Sequence, residues 1–209
     1  MLFWFDPKIV IGTTSSIQEN YHHLEKSMIG QIKKRYILKQ NAIIAISMDL
    51  FNSWSNSSFS GKIVYIPNSV DTNRFKPQQK LIKAQNRLKL GLLKNDYIMN
   101  NTAIISPRKN QLFILKVLRE LLDLNNGINY KVLFVGNIYD FEYFESLQIF
   151  IEQNGLKDNV TFTGLVDNVE DYYSISDIFL FSSLSEGFPN ACLEAMAMGL
   201  PIVIKRLQG

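Results

Sequence analysis

Glu186 and Glu194 stand with seven residues between them, in the run Ser185-Glu186-Gly187-Phe188-Pro189-Asn190-Ala191-Cys192-Leu193-Glu194. The apolar stretch 177–182 just before it reads as a strand. Pro189 suits a first helical turn because no N–H is needed there. Glu186 then lies on a loop and Glu194 inside the helix that follows. The N–H groups around residues 190–192 open that helix and make an anion site suited to a diphosphate. Two carboxylates beside phosphate alone would repel it. They make sense as acceptors of hydrogen bonds from hydroxyls flanking the phosphates, and a nucleotide sugar carries such hydroxyls on its ribose and on its sugar. The spacing alone also fits a plainer arrangement, in which Glu186 caps the helix and Glu194 is a solvated helical residue.

The elements that must hold this loop follow from hydrophobic periodicity. Strands are predicted at 8–12, 42–47, 62–66, 102–106, 130–135, 159–163, 177–182 and 201–204. Helices are predicted at 25–39, 48–54, 78–90, 109–124, 141–153, 169–174 and 191–198. In the 109–124 segment, Leu112, Leu115, Leu118, Leu121 and Leu122 recur at three- and four-residue steps and form one apolar stripe. Strands apolar throughout, such as Tyr-Lys-Val-Leu-Phe-Val at 130–135, are those buried on both faces. Alternating with helices, they imply an α/β fold of Rossmann-like parallel sheets with helices on both faces. In such sheets ligands bind outside the carboxyl ends of the strands, which is where the Glu186 loop falls. The turn at 67–77, rich in Asn, Ser, Asp and Pro, separates a domain at 1–66 from one at 67–209.

Composition excludes several classes. With 46% hydrophobic and 20% charged residues, the chain buries a real core. A formal charge of +3 without a clustered basic stripe does not indicate nucleic acid. The single cysteine, Cys192, allows no internal disulfide, and no Cys/His spacing suits a metal, so a cytoplasmic setting is expected. No apolar run approaches the roughly 20 residues that span a bilayer. The apolar opening Met1-Leu2-Phe3-Trp4-Phe5 is stopped by Asp6 and Pro7 and reads as core of a larger domain.

The stretch Asn159 through Pro201, NVTFTGLVDNVEDYYSISDIFLFSSLSEGFPNACLEAMAMGLP, closely resembles the family 4 glycosyltransferases. The resemblance extends to Ile66-Pro67-Asn68-Ser69-Val70-Asp71, to Pro107-Arg108-Lys109-Asn110-Gln111 and to Val135-Gly136. It implies the two-domain GT-B fold, here truncated at both ends. It also implies retaining transfer of a hexosyl group from a nucleotide diphosphate sugar to a hydroxyl acceptor, in bacterial envelope, lipopolysaccharide or exopolysaccharide synthesis.

By that resemblance Glu194 binds the ribose hydroxyls, and Glu186 contacts the donor sugar near the reacting centre. Lys109 neutralises the leaving diphosphate, a preorganised cation where charge develops. Backbone N–H groups of Gly187, Phe188, Asn190 and Ala191 hold sugar hydroxyls and phosphate, and Arg108, Gly164 and Leu165 complete the donor site. No cofactor and no metal is implied. The implied acceptor includes a lipid-linked glycan, with peripheral contact at the inner face of the cytoplasmic membrane and no nucleic acid partner. The family's usual Arg five residues before the lysine is replaced by Ile104, with Arg108 as a substitute, and its Gly after Pro-Asn is Ser69. The truncation leaves open a non-catalytic remnant that only binds nucleotide.

Lesser signals have plainer readings beside functional ones. His22 and His23 are adjacent candidates for a catalytic histidine. Lys26, Lys33, Lys34, Arg35 and Lys39 accompany Met28, Ile29, Ile32, Tyr36 and Ile37 on one predicted helix. That pattern is either a solvated face over a core stripe or a membrane-docking helix. Tyr139, Phe141, Tyr143 and Phe144 are expected to pack in the core rather than stack on sugar. Asp140, Asp167 and Asp171 are expected to cap helices.

Overall fold

The computed structural model describes residues 11–14, 24–40, 42–78 and 80–205. The apolar opening, His22, His23 and most of the predicted 8–12 strand lie outside these residues. By contacts the chain divides into two compact units. One takes Met1–Ser69 with Ser185–Pro189, and the other takes Val70–Leu184 with Asn190–Gly209.

The first unit holds β1 (Ile11–Thr14), α1 (Met28–Ile37), β2 (Ala42–Ala45), α2 (Met48–Ser55) and β3 (Lys62–Tyr65). The three strands form one parallel sheet in the order β1-β2-β3. Each helix start is capped by a serine: Ser27 Oγ accepts from Gly30 N at 3.0 Å and Ser47 Oγ from Leu50 N at 3.3 Å. Ile43 and Trp54, both 0% exposed, pack with Leu24 and Phe59. Of the two arrangements open for α1, the core stripe is not the one found: Met28, Ile29, Ile32 and Tyr36 are 77%, 67%, 64% and 65% exposed. At 100° per residue these four fall within one arc of α1, and Leu24 with Ile37 and Leu38 supplies the packed side instead.

The second unit holds α3 (Lys80–Lys89), β4 (Asp96–Thr102), α4 (Gln111–Asp123), β5 (Asn129–Val135), α5 (Phe141–Gln153), β6 (Val160–Phe162), α6 (Val169–Ile175), β7 (Ile178–Phe181), α7 (Asn190–Ala197) and β8 (Ile202–Ile204). All five strands are parallel, in the order β6-β5-β4-β7-β8. Chain order runs outward from β4 to one edge and then from β7 to the other, so the direction of winding reverses between β4 and β7. β5 is buried on both sides as its continuous apolar run requires. Val132 and Phe134 face a core with Ile114, Leu115, Leu118 and Leu147, and Leu133 and Val135 face another with Ile98 and Ile175.

β4 differs from the sequence expectation, which placed a strand at 102–106. Asn100 and Asn101 lie in its interior, 0% and 2% exposed, in a place where Asn is depleted. Each amide is satisfied at one atom: Asn101 Nδ2 donates to Leu180 O at 2.8 Å and Asn100 Oδ1 accepts from Thr102 Oγ1 at 2.8 Å, whereas Asn101 Oδ1 and Asn100 Nδ2 are buried without a partner. Among the helix caps, Asp140 Oδ1 accepts from Tyr143 N at 2.9 Å as expected. Asp167 and Asp171 cap nothing: Asn168 holds the cap position of α6, and Asp171 lies inside that helix, accepting from Asn168 Nδ2 at 2.7 Å. Tyr143 and Phe144 pack against the core, whereas Tyr139 and Phe141 are 75% and 69% exposed, a correction. No described helix is long and apolar enough to cross a membrane.

Candidate functional site

Because all strands of the second unit are parallel, the segments following β4, β5, β6 and β7 leave one edge of the sheet. The crevice where winding reverses lies between the ends of β4 and β7. The segment after β4 is shaped by its own polar groups. Gln111, 0% exposed, donates from Nε2 to Ile104 O at 2.9 Å. Pro107–Lys109 then forms a single 3-10 turn, and Asn110 adopts the left-handed conformation at φ 57°, which asparagine tolerates better than most residues. Lys109 therefore sits on this turn rather than at the start of α4.

That turn is fastened to the end of β7. Ser182 Oγ donates to Lys109 O at 2.7 Å, Asn110 Nδ2 donates to Ser182 O at 3.3 Å, and Leu184 N donates to Arg108 O at 2.8 Å. Arg108 is exposed and Lys109 half-buried. The structure thus brings the Arg108–Lys109 turn and the start of the motif loop to the two sides of the reversal point.

Asn190, Ala191 and Glu194 lie on α7, which begins one residue after Pro189. Glu194 is half-buried and accepts at Oε2 from the Tyr173 hydroxyl at 2.8 Å. The same hydroxyl is 3.3 Å from Ala191 O. Burial, and after it the charge of Glu194, pushes the Tyr173 phenol well above its usual range, so it stays protonated and donates. Nearby, Arg74 Nε and Nη2 donate to Glu170 Oε2 at 3.0 and 2.7 Å, and Nη2 also donates to Asp167 O at 2.9 Å. These bonds hold the Glu170 carboxyl below its usual range. Gly164, at φ 69°, accepts from Gly136 N at 3.1 Å, and Leu165 beside it is 78% exposed.

Glu186, Gly187 and Phe188 fall in the Ser185–Pro189 segment, which belongs to the first unit by its contacts. There Phe188 packs against Ala45, Ile46 and Leu50, and its carbonyl accepts from Asn68 Nδ2 at 3.4 Å. Ser69 does not adopt positive φ, so the change from the family's glycine carries no backbone strain. Ile104, 38% exposed, contributes its carbonyl to the Gln111 anchor. Among the described residues no group of three or more His, Cys, Asp or Glu is placed to hold a metal. Sequence reasoning missed Tyr173, Asn100 and Asn101, and it missed Arg74 and Asp177. For Tyr173, Asn100 and Asn101 the available signal was a polar group inside an otherwise apolar segment; exposed Arg74 and half-buried Asp177 carried no such signal.

The chain is similar to known proteins over both units. It is 29% identical over 149 residues, 71% of this chain and 38% of the relative, to the UDP-Gal:alpha-D-GlcNAc-diphosphoundecaprenol alpha-1,3-galactosyltransferase of Escherichia coli. It is 32% identical over 147 residues, 66% of this chain and 40% of the relative, to the capsular polysaccharide biosynthesis glycosyltransferase CapH of Staphylococcus aureus. Among solved structures, HepE of Anabaena in complex with UDP-glucose aligns with a TM-score of 0.79 at 19% identity, over 95% of this chain and 54% of that one. The sucrose-phosphate synthase of Thermosynechococcus elongatus aligns at 0.76 and 20% identity, over 94% and 50%. This likeness carries the fold, which is GT-B. The chain spans about four tenths of the length of these curated relatives and about half that of these structures. The family described as glycosyl transferases group 1 matches residues 82–209, more than half of the chain, and takes in the Lys109 turn, Tyr173 and Glu194. This chain belongs to the group 1 glycosyl transferases.

Proposed function

We propose that this chain carries the donor-binding part of a retaining family 4 enzyme that moves a hexosyl group from a nucleotide diphosphate sugar to a hydroxyl acceptor. The observation that carries the reading is the fastening of the Lys109 turn to the end of β7 across the reversal point of the sheet. A cation held there on a rigid turn stabilises charge developing on a leaving diphosphate without reorganising. Arg108 adds a second cation at the rim. Glu194 accepts from the ribose hydroxyls, Glu186 faces the donor sugar, and N–H groups of Gly187, Phe188, Asn190 and Ala191 hold sugar hydroxyls and phosphate. Gly164 and Leu165 border the nucleoside.

No metal enters this proposal: Lys109 and the N–H groups supply the positive charge. With the acceptor on the same face as the leaving group, a phosphate oxygen takes the acceptor proton and the anomeric configuration is retained. HepE was solved with UDP-glucose, which makes UDP the first nucleotide to try. An undecaprenol-linked acceptor for the Escherichia coli relative supports a lipid-linked glycan as acceptor and polysaccharide or glycolipid assembly as the setting. The exposed apolar arc of α1, with Lys33, Arg35 and Lys39 beside it, supports peripheral contact with the cytoplasmic face of a membrane.

Thermal unfolding with UDP, GDP, ADP or CMP, for wild type and Glu194→Ala, tests this. Ligand at about a hundred times its dissociation constant adds roughly 2.7 kcal/mol, a shift of several degrees. A shift with one nucleotide, abolished by Glu194→Ala, names the base. Cooperative unfolding with no shift for any of the four sinks the reading. Binding without transfer from the matching sugar nucleotide would leave a nucleotide-binding protein without catalysis.

A further inference from the structure

We infer that Tyr173 is the positioning residue of the donor site, its hydroxyl fixing the Glu194 carboxylate in the orientation that reads the ribose. The inference rests on the proposal that Glu194 binds the ribose hydroxyls.

To accept from two neutral hydroxyls, the carboxylate must stay ionised, must point one way, and must keep acceptor capacity to spare. A direct bidentate arginine would orient it but would occupy both oxygens. Tyr173 avoids this by donating one hydrogen bond to one oxygen, Oε2, at 2.8 Å. The phenol has a single proton, and the charged carboxylate competes for it with two neutral neighbours, the Ala191 carbonyl at 3.3 Å and the Thr102 hydroxyl. Oε1 and the second lone pair of Oε2 are left for a ligand.

The tyrosine is itself immobile. It is 0% exposed, and its ring is held between Phe75 (centroids 6.0 Å, interplanar 74°) and Phe179 (5.8 Å, 51°). Arg74 is near enough to add a favourable charge to Glu194, but its Nε and Nη2 groups donate to Glu170 and to the Asp167 carbonyl. Its guanidinium lies 5.2 Å from the centre of the Phe75 ring that braces Tyr173. Charge and direction are thereby divided: Arg74 contributes field, and Tyr173 contributes direction. A tyrosine serving only the core would need a partner for its hydroxyl too, so the test must separate packing from ribose reading.

Binding of UDP and of 2′,3′-dideoxy-UDP, with the GDP and ADP pairs run beside them, is measured by calorimetry for wild type, Tyr173→Phe, Glu194→Ala and the double variant. Phenylalanine keeps both ring contacts. Wild type is expected to favour the ribonucleotide, and Tyr173→Phe to weaken it roughly tenfold while leaving the dideoxy form unchanged. In the Glu194→Ala background Tyr173→Phe should add nothing. Equal weakening of both forms, or an undiminished ribose preference in Tyr173→Phe, overturns the inference while leaving the proposed donor site intact. Wild type binding no nucleotide overturns the donor-site proposal and the inference with it. Should Tyr173→Phe not fold, Glu194→Asp gives the answer from the other side, since it withdraws the carboxylate by one methylene from the hydroxyl. It should then discriminate no better than Glu194→Ala, and retained ribose preference would refute the positioning role.

Discussion

Across the crevice between β4 and β7, the Ser182 hydroxyl donates a 2.7 Å hydrogen bond to the backbone carbonyl of Lys109. Ser182 is 2% exposed, so the bond is made out of water and removing it leaves a buried carbonyl less well satisfied. The two residues follow strands that neighbour each other in the sheet but lie far apart in sequence. Together with the Asn110–Ser182 and Leu184–Arg108 bonds, this contact sets where the lysine turn stands relative to the end of β7. Ser182→Ala is expected to cost about 1 kcal/mol in urea unfolding. It should also lower kcat/KM for donor roughly tenfold, a larger kinetic than structural loss, because small displacements of a positioned charge are costly in the transition state.

Lys109 and Arg108 should separate cleanly. Lys109 is half-buried on the fastened turn, whereas Arg108 is exposed. Lys109→Ala is expected to lower kcat by roughly a hundredfold, the scale of one lost preorganised charge. Arg108→Ala should change kcat less than about threefold, since screening weakens an exposed charge. Binding gives an independent check: Lys109→Ala should erode the preference for UDP over uridine, and Arg108→Ala should largely keep it. Equal losses from both would mean that the turn does not direct the lysine at phosphate.

Much of this arrangement could be read from residues alone, and what could not has a physical reason. Strand β5 and helix α4 were legible because continuous apolar runs and three-to-four spacing report burial directly. The Glu-x7-Glu segment was legible because strand, loop and helix follow one another in sequence. β4 was not, because its buried Asn100 and Asn101 mimic a loop. Leu180 and Thr102 satisfy one polar atom of each, and the Leu180 contact exists only once β7 is in place. Tyr173 was not, because nothing in Tyr172-Tyr173 tells which ring turns inward, and its partner Glu194 is set by the packing of α6 on α7. The apolar stripe of α1 was legible but its surroundings were not, because periodicity reports an apolar face and not what covers it.

Asp177, taken from sequence only as the first residue of a strand, predicts an acid limb of stability. Its Oδ1 accepts from Lys83 Nζ at 2.8 Å, and its Oδ2 accepts from Arg87 Nη2 at 2.6 Å and Ile98 N at 2.8 Å. Burial works against the charged form, but the Ile98 N–H, Lys83 and Arg87 together bring its carboxyl below the usual range. A carboxyl depressed in the folded state stabilises fully above its unfolded value of about 3.9, and the contribution is lost as pH falls through the folded value. Stability should therefore be level near neutrality and fall below about pH 4. Asp177→Asn should cost about 2 kcal/mol at pH 7 and show a shallower acid slope. Arg87, 6% exposed, retains the Ile175, Lys94 and Asp96 carbonyls, which keeps the cost below that of a stranded buried charge. A mutant with an unchanged acid slope would show that other carboxylates carry the limb.

Two glycines beside the crevice should respond differently to the same substitution. Gly136 and Gly164 bridge one another through the Gly136 N–H and Gly164 carbonyl at 3.1 Å, and both have positive φ, 149° and 69°. At Gly164 an added Cβ meets nothing within 4 Å, so alanine there bears only the left-handed backbone penalty, roughly 1 kcal/mol. At Gly136 the Cβ would run into the carbonyl oxygen of Ala103, backbone that follows directly from β4 and cannot swing aside like a flexible side chain. Gly136→Ala should therefore cost at least about 3 kcal/mol, because the clash adds to the conformational penalty. It should also disturb the Lys109 turn, since the 103–106 segment it displaces leads into that turn. Urea unfolding of the two variants, with UDP binding measured beside it, decides the matter. Gly164→Ala proving the more damaging would mean that the Gly136 backbone does not lie against the Ala103 carbonyl.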